Sequence, residues 1–220
     1  MRVIVAGGHG KIAQLLLKAL VERGDTAVGL VRNPDHVAEL EALGAEAVVL
    51  DLEGASPDQL RPVVRGADAV VFAAGAGPNG GAERKDTVDR ATAVLTAEVA
   101  ELEGVRRYVQ ISSFGAGEEI PAETDETFTA YLKAKTAAED DLRERAGLDW
   151  TILRPTTLTD EPGTGKVTLT GPPLESSEVS RADVAAVVVA LLDAPGTAGT
   201  TLMLTKGSTA VVNAVRAHVS

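Results

Sequence analysis

Tyr131 and Lys135 stand four residues apart in "YLKAK", and "ISSFG" places Ser112 and Ser113 upstream of them. A spacing of four puts a phenol and an ammonium on one face of a helix. An ammonium favours the phenolate beside it, and a serine nearby can polarise an oxygen. Such a set serves proton donation to an oxygen that gathers negative charge. The same helix face carries Ala134, Ala138 and Leu142, so Glu139, Asp140, Asp141 and Glu144 are expected to turn elsewhere.

The chain opens on a second feature. In "MRVIVAGGHGKIAQLLLKAL" a β-branched run, Val3 to Val5, meets Gly7, Gly8 and Gly10, and then Ile12, Leu16 and Leu20 recur at helical spacing. Strand, glycine turn and helix in that order form the setting a diphosphate needs. Gly7 lets the chain leave the strand sharply. Gly10 bares the backbone, and the amides of Lys11 and Ile12 open the helix. Ala13 lets that helix lie close on its strand. The gap Gly7-x-x-Gly10-x-x-Ala13 is one residue longer than in the G-x-G-x-x-G fingerprint. His9 either adds a donor to the phosphates or is simply a tolerated loop residue.

Alternating patterns must carry these groups. Strands are predicted over 27–31, 45–50, 69–73, 107–112, 150–153 and 201–204, with a short alternating segment over 166–170. Helices are predicted over 36–43, 57–64, 83–103, 129–146, 181–192 and 210–217. The 83–103 helix presents Val88, Ala91, Leu95, Val99 and Leu102 on one face. Ser180 reads as an N-cap, with Asp183 three residues on. Repeated βα units imply one doubly wound parallel sheet with helices on both faces. A single domain over 1–220 is expected, with substrate-side elements mainly in 154–220.

Ligands bind beyond the carboxyl ends of such strands. After the second strand stands Arg32, where an NAD-binding unit usually has an acid. A guanidinium there suits a 2′-phosphate, so NADP(H) is the expected cofactor and NAD(H) the lesser one. Asp51 accepts from an adenine amino group or caps a turn, with Leu52 against the ring. Ala73, Ala74 and Gly75 leave room beside a ribose. The second glycine cluster, "GPNGGAERKD", reads as a mobile edge of the site. Pro155, Thr156, Thr157 and Leu158 follow the sixth strand, where a nicotinamide would lie. Arg154 reads as ion-paired at that strand's end. Phe114 and Phe128 are the aromatics expected near a substrate.

Gly7-x-x-Gly10-x-x-Ala13, the serine after the fifth strand and Tyr131-x-x-x-Lys135 together resemble the short-chain dehydrogenase/reductase superfamily. "GLDWTILRPTTLTDEPGTGKV" resembles its atypical NAD(P)H-binding branch, which includes biliverdin reductase B-like, NmrA-like and YwnB/YhfK-like proteins. The resemblance runs from Met1 to about Ala217 and implies a Rossmann-type fold. It implies Tyr131 as proton donor, Lys135 as holder of the nicotinamide ribose, and Ser113 as the group that polarises the substrate oxygen. Ser112 is the second candidate for that role and a cofactor contact. It also implies an oxidoreductase passing hydride to a small carbonyl, quinone or flavin-like acceptor. The alternative is a non-catalytic, NmrA-like redox sensor acting through a protein partner. An epimerase or dehydratase holding NAD is disfavoured by Arg32.

Composition bounds the rest. The 220 residues contain no cysteine, and the three histidines, His9, His36 and His218, lie far apart, so no metal is expected. A formal charge of −11 disfavours nucleic acid and anionic membranes. No apolar run is long enough to span a bilayer. A cytoplasmic protein, monomeric or homodimeric, with a small-molecule substrate is the expectation.

Overall fold

The computed structural model describes residues 1–77, 81–175 and 177–219, with the side chains of residues 82 and 83 left aside. Eleven strands are described: β1 (Arg2–Ala6), β2 (Thr26–Val31), β3 (Glu46–Val49), β4 (Ala69–Phe72), β5 (Arg107–Ile111), β6 (Asp149–Pro155), β7 (Thr157–Thr159), β8 (Lys166–Thr170), β9 (Glu178–Ser180), β10 (Thr200–Lys206) and β11 (Thr209–Ala210). The α-helices are α1 (Lys11–Glu22), α2 (Val37–Ala42), α3 (Pro57–Val64), α4 (Gly81–Arg84), α5 (Thr92–Leu102), α6 (Glu126–Glu144), α7 (Arg181–Leu192) and α8 (Val211–Arg216). Between α4 and α5, Lys85–Ala91 forms a π-helical turn.

The main sheet has nine strands in the order β11-β8-β10-β6-β5-β4-β1-β2-β3. Strands β3 through β10 in that row run parallel, whereas β8 pairs antiparallel with both β10 and β11. The sheet is therefore parallel-dominated rather than wholly parallel. The chain passes from β6 to β8 with no helix between to turn it round, so β8 comes back antiparallel. Strands β7 and β9 form a separate parallel pair.

Both faces of the sheet are covered. Along β1, Val3 and Val5 join one apolar cluster with Leu16, Leu20 and Val188, while Ile4 and Ala6 join the other with Leu60, Ala97 and Leu142. That alternation is what a strand buried on both sides requires. The chain reverses its winding at β1, which lies between β2 and β4, so a crevice opens between the carboxyl ends of β1 and β4. No helix among the described residues is long and apolar enough to cross a membrane.

Helix α5 buries a different face from the one its large aliphatics suggest. Thr92, Ala93, Thr96, Ala97 and Ala100 pack inward with Val99, and Leu102 is exposed. Small residues allow a close approach, and closeness decides the face here. At its end, Glu103 receives Arg61 (2.6 Å) and Arg65 (2.9 Å) from α3. Arg65, then Arg61, hold its carboxyl at about 2, below the ordinary 4.5. A lowered folded value means that this stabilisation is full above about pH 4.5 and is lost as pH falls towards 2. Glu103→Gln should cost a few degrees of Tm near neutrality and almost nothing near pH 2, which melts across that range will check. An equal loss at every pH would contradict the pairing.

Candidate functional site

The glycine turn closes the crevice at the end of β1. Gly7 has φ +83°, and a Cβ on it would lie 2.6 Å from Ala74 Cα. The backbones of the turn and of the β4 end touch, and only a glycine permits it. Helix α1 begins at Gly10 with no side-chain cap and no acid in its first turn. Its leading amides and positive dipole end are left for a ligand, as an anion site requires. Ile12 packs its side chain on the core, and Lys11 reaches out to Asp160. Asp160 also receives Arg181 (2.6 Å), and Lys11 and then Arg181 hold its carboxyl below the usual range.

A cleft of about 410 Å³ runs from this turn along the ends of β2, β3 and β4. Gly7, His9, Gly10, Arg32, Asp51, Leu52, Ala73, Ala74 and Gly75 line it. A bare turn, a bare helix start and a long cleft are the shape a dinucleotide fits. His9 is engaged inside the cleft: its ring stacks on His36 at 3.4 Å and its Nε2 lies 3.0 Å from Glu39. Arg32 does not stand alone. Its guanidinium is 3.7 Å from Glu53, which also accepts from Arg84 (3.0 Å) and Thr87 (2.5 Å). The Thr87 hydroxyl first, then Arg84, lowers the Glu53 carboxyl from its ordinary value. This end of the cleft thus holds the Arg32 and Arg84 guanidiniums with the Glu53 carboxylate between them and Asp51 near Arg84.

The other expected residues lie outside that cleft's lining. Lys135 is buried on α6. Its Nζ donates to Ala74 O (3.4 Å) and sits 3.2 Å from Asp89 Oδ1 of the π-helical turn. Tyr131, half-buried one turn earlier, stacks on exposed Phe128 with ring centroids 5.7 Å apart. Two ammoniums face its ring, Lys85 at 5.1 Å and Lys135 at 5.7 Å from the centroid. Ser113 is half-buried and its hydroxyl donates to Phe114 O (3.2 Å). Phe114 is half-buried beside it.

Several expectations change. Ser112, expected beside the cofactor, is buried and donates its hydroxyl to Glu139 (2.6 Å). Glu139, expected to turn outward, is fully buried and also receives Arg154 and Arg143. An acid can face inward there because Arg154, at the end of β6, neutralises it. Pro155 and Thr156 are buried, and the Thr156 hydroxyl turns to Thr205 (3.2 Å), while Thr157 is exposed and Leu158 half-buried. Residues 78–80 of the second glycine cluster lie outside the described residues, and its charged part is helical, as the helix predicted from residue 83 requires. Ser180 caps α7 as expected: its hydroxyl oxygen accepts from Asp183 N (3.0 Å).

Glu53, Arg84, Lys85, Asp89 and Glu139 escaped the sequence reading. Only Asp89 left a trace, since it heads the Thr92, Ala93, Thr96 and Ala97 face that α5 buries.

The NAD(P)H-binding family profile matches residues 7–195. A Bacillus subtilis protein named "Uncharacterized sugar epimerase YhfK" is 36% identical over 98% of this chain and 99% of its own. The solved structure of a putative NAD-dependent epimerase/dehydratase from Bacillus halodurans superposes with TM-score 0.90 at 37% identity, over 99% of each chain. The oxidoreductase ylbE from Lactococcus lactis shares the fold, with TM-score 0.87 at 24% identity over 99% of this chain and 96% of its own. The match over most of the chain and the bare turn that the structure sets at the sheet's reversal point agree, and the chain belongs to the NAD(P)H-binding family.

Proposed function

We propose that this protein is an NADP(H)-dependent oxidoreductase that passes hydride to a small carbonyl, quinone or flavin-like acceptor. The observation that carries this reading is a shared anchor. The glycine turn and the Tyr131–Lys135 helix both close on the end of β4, the first at Ala74 Cα and the second at Ala74 O. A group held by the turn is thereby held in fixed relation to the phenol.

In this reading the first amides of α1 and Lys11 hold the diphosphate, Asp51 and Leu52 meet the adenine, and Ala73 to Gly75 lie beside a ribose. Arg32, with Arg84 beyond it, takes the 2′-phosphate. A reduced nicotinamide supplies hydride when bound. Tyr131 donates a proton or hydrogen bond to the acceptor oxygen as charge gathers there, and Ser113 helps polarise it. Lys135 holds the neighbouring ribose, and Thr157 and Leu158 flank the ring. The test is NADPH oxidation against aldehydes, ketones, quinones and flavins. Oxidation with one class supports the reading. Binding with no net oxidation of cofactor points to a sensor or to a redox-neutral epimerase.

Glu53 offers a check on cofactor choice. Its carboxylate competes with a 2′-phosphate for both arginines, so Glu53→Gln should tighten NADPH about threefold to tenfold and leave NADH unchanged. Arg32→Ala should do the reverse. Fluorescence titration of both cofactors measures the ratio, and equal changes for NADPH and NADH would remove the 2′-phosphate from this end.

A further inference from the structure

The wall facing the glycine turn is pinned from behind. Residues 74–77 leave β4 with three separate fastenings. Lys135 Nζ donates to Ala74 O (3.4 Å), Ala76 N donates to Asp89 Oδ2 (3.1 Å), and Lys85 Nζ donates to Gly77 O (2.6 Å). Lys85 and Asp89 are both buried, and both come from the π-helical turn. Four apart, the two side chains share one face of the turn, and π turns often mark functional sites.

Asp89 is central to this arrangement. It is fully buried, with Oδ1 3.2 Å from the Lys135 ammonium. Gly75 is bare directly above it: a Cβ there would stand 2.9 Å from Oδ1. A buried ion pair is poor value as a stabiliser, because desolvating two charges offsets most of their attraction. This pair lies under residues 74–76, which line the cleft opposite the glycine turn, and its cation bears on the Tyr131 ring.

We infer that Asp89 is a positioning residue of the cofactor site. It aims Lys135 at the β4 end and fixes residues 74–77 as the wall against which the cofactor ribose rests. The inference rests on the proposed NADP(H) reading, and it adds a carboxylate to the Ser113, Tyr131 and Lys135 set.

A mutant cycle with Asp89→Asn, Lys135→Met and the double variant tests it, together with Gly75→Ala. Asparagine keeps an oxygen for Ala76 N and removes the charge. Asp89→Asn should weaken NADPH about tenfold and lower kcat about as much, with the acceptor KM within about threefold. The double variant should bind NADPH about as poorly as Lys135→Met alone, since both changes break one unit. Gly75→Ala, which keeps both charges and presses on Oδ1, should weaken NADPH in the same direction even if Asp89→Asn folds poorly. Wild-type affinity in Asp89→Asn overturns the inference, as do losses that simply add in the double variant. So does wild-type affinity in Gly75→Ala. A wild type that binds neither NADPH nor NADH sinks the functional reading and the inference together; a wild type that binds while Asp89→Asn binds equally well sinks the inference alone.

Discussion

Gly7→Ala is expected to abolish NADPH binding in a chain that still folds. The methyl group would meet Ala74 Cα at 2.6 Å and Ala74 N at 2.8 Å, which are backbone atoms with no rotamer to give way. The φ of +83° adds backbone strain that alanine, unlike glycine, must bear. Relief requires the β4 end to move off the turn, and that movement opens the contact on which the cleft is built. Overpacking with strain of this kind costs on the order of 1–3 kcal/mol of stability. Binding should suffer more, with Kd raised about 100-fold or beyond, because misplaced amides lose the diphosphate at every contact at once. Gly54→Ala is the control: no atom lies within 4 Å of its would-be Cβ, so binding and Tm should stay as in the wild type. NADPH titration with parallel melting curves measures both. Wild-type affinity in Gly7→Ala would mean that the diphosphate goes elsewhere.

This prediction draws on the part of the molecule that the sequence announced most clearly. A β-branched run, a glycine turn and a leucine-spaced helix are local signals, and β1, the turn and α1 fall where they point. The same holds for Pro57–Val64, Lys166–Thr170 and Arg181–Leu192, whose caps and periodicities are written in adjacent residues. What stayed hidden depends on contacts between distant segments. The antiparallel direction of β8 is set by its partner β10, some thirty residues on. Glu139 reads as one more acid on a charged helix until Arg154, from another strand, turns it inward. Arg32 reads as a free guanidinium until Glu53 arrives from beyond β3. The π turn that carries Lys85 and Asp89 to the site has no sequence signature.

Tyr131→Phe carries the second large effect, on turnover rather than on binding. The phenol ring is held by Phe128 on one side and faced by two ammoniums, so a phenylalanine in its place keeps the packing. Among the described residues the hydroxyl makes no hydrogen bond, so its removal should leave Tm unchanged. The groups that hold cofactor in the proposed reading are untouched, so NADPH affinity should also stay. What disappears is the proton donor to the acceptor oxygen. General acid catalysis by a placed side chain is worth about 10²–10⁴-fold, so kcat should fall by about that factor while KM moves little. A fall in both kcat and Tm would assign the hydroxyl a structural part instead. Equal turnover by wild type and Tyr131→Phe would remove it from the chemistry. The proton would then come from solvent or from the acceptor's own ring, which is the expected pattern for a quinone or flavin and not for a simple ketone. The variant therefore reports on acceptor class as well as on Tyr131: a ketone should lose its rate with the hydroxyl, whereas a flavin should keep most of it.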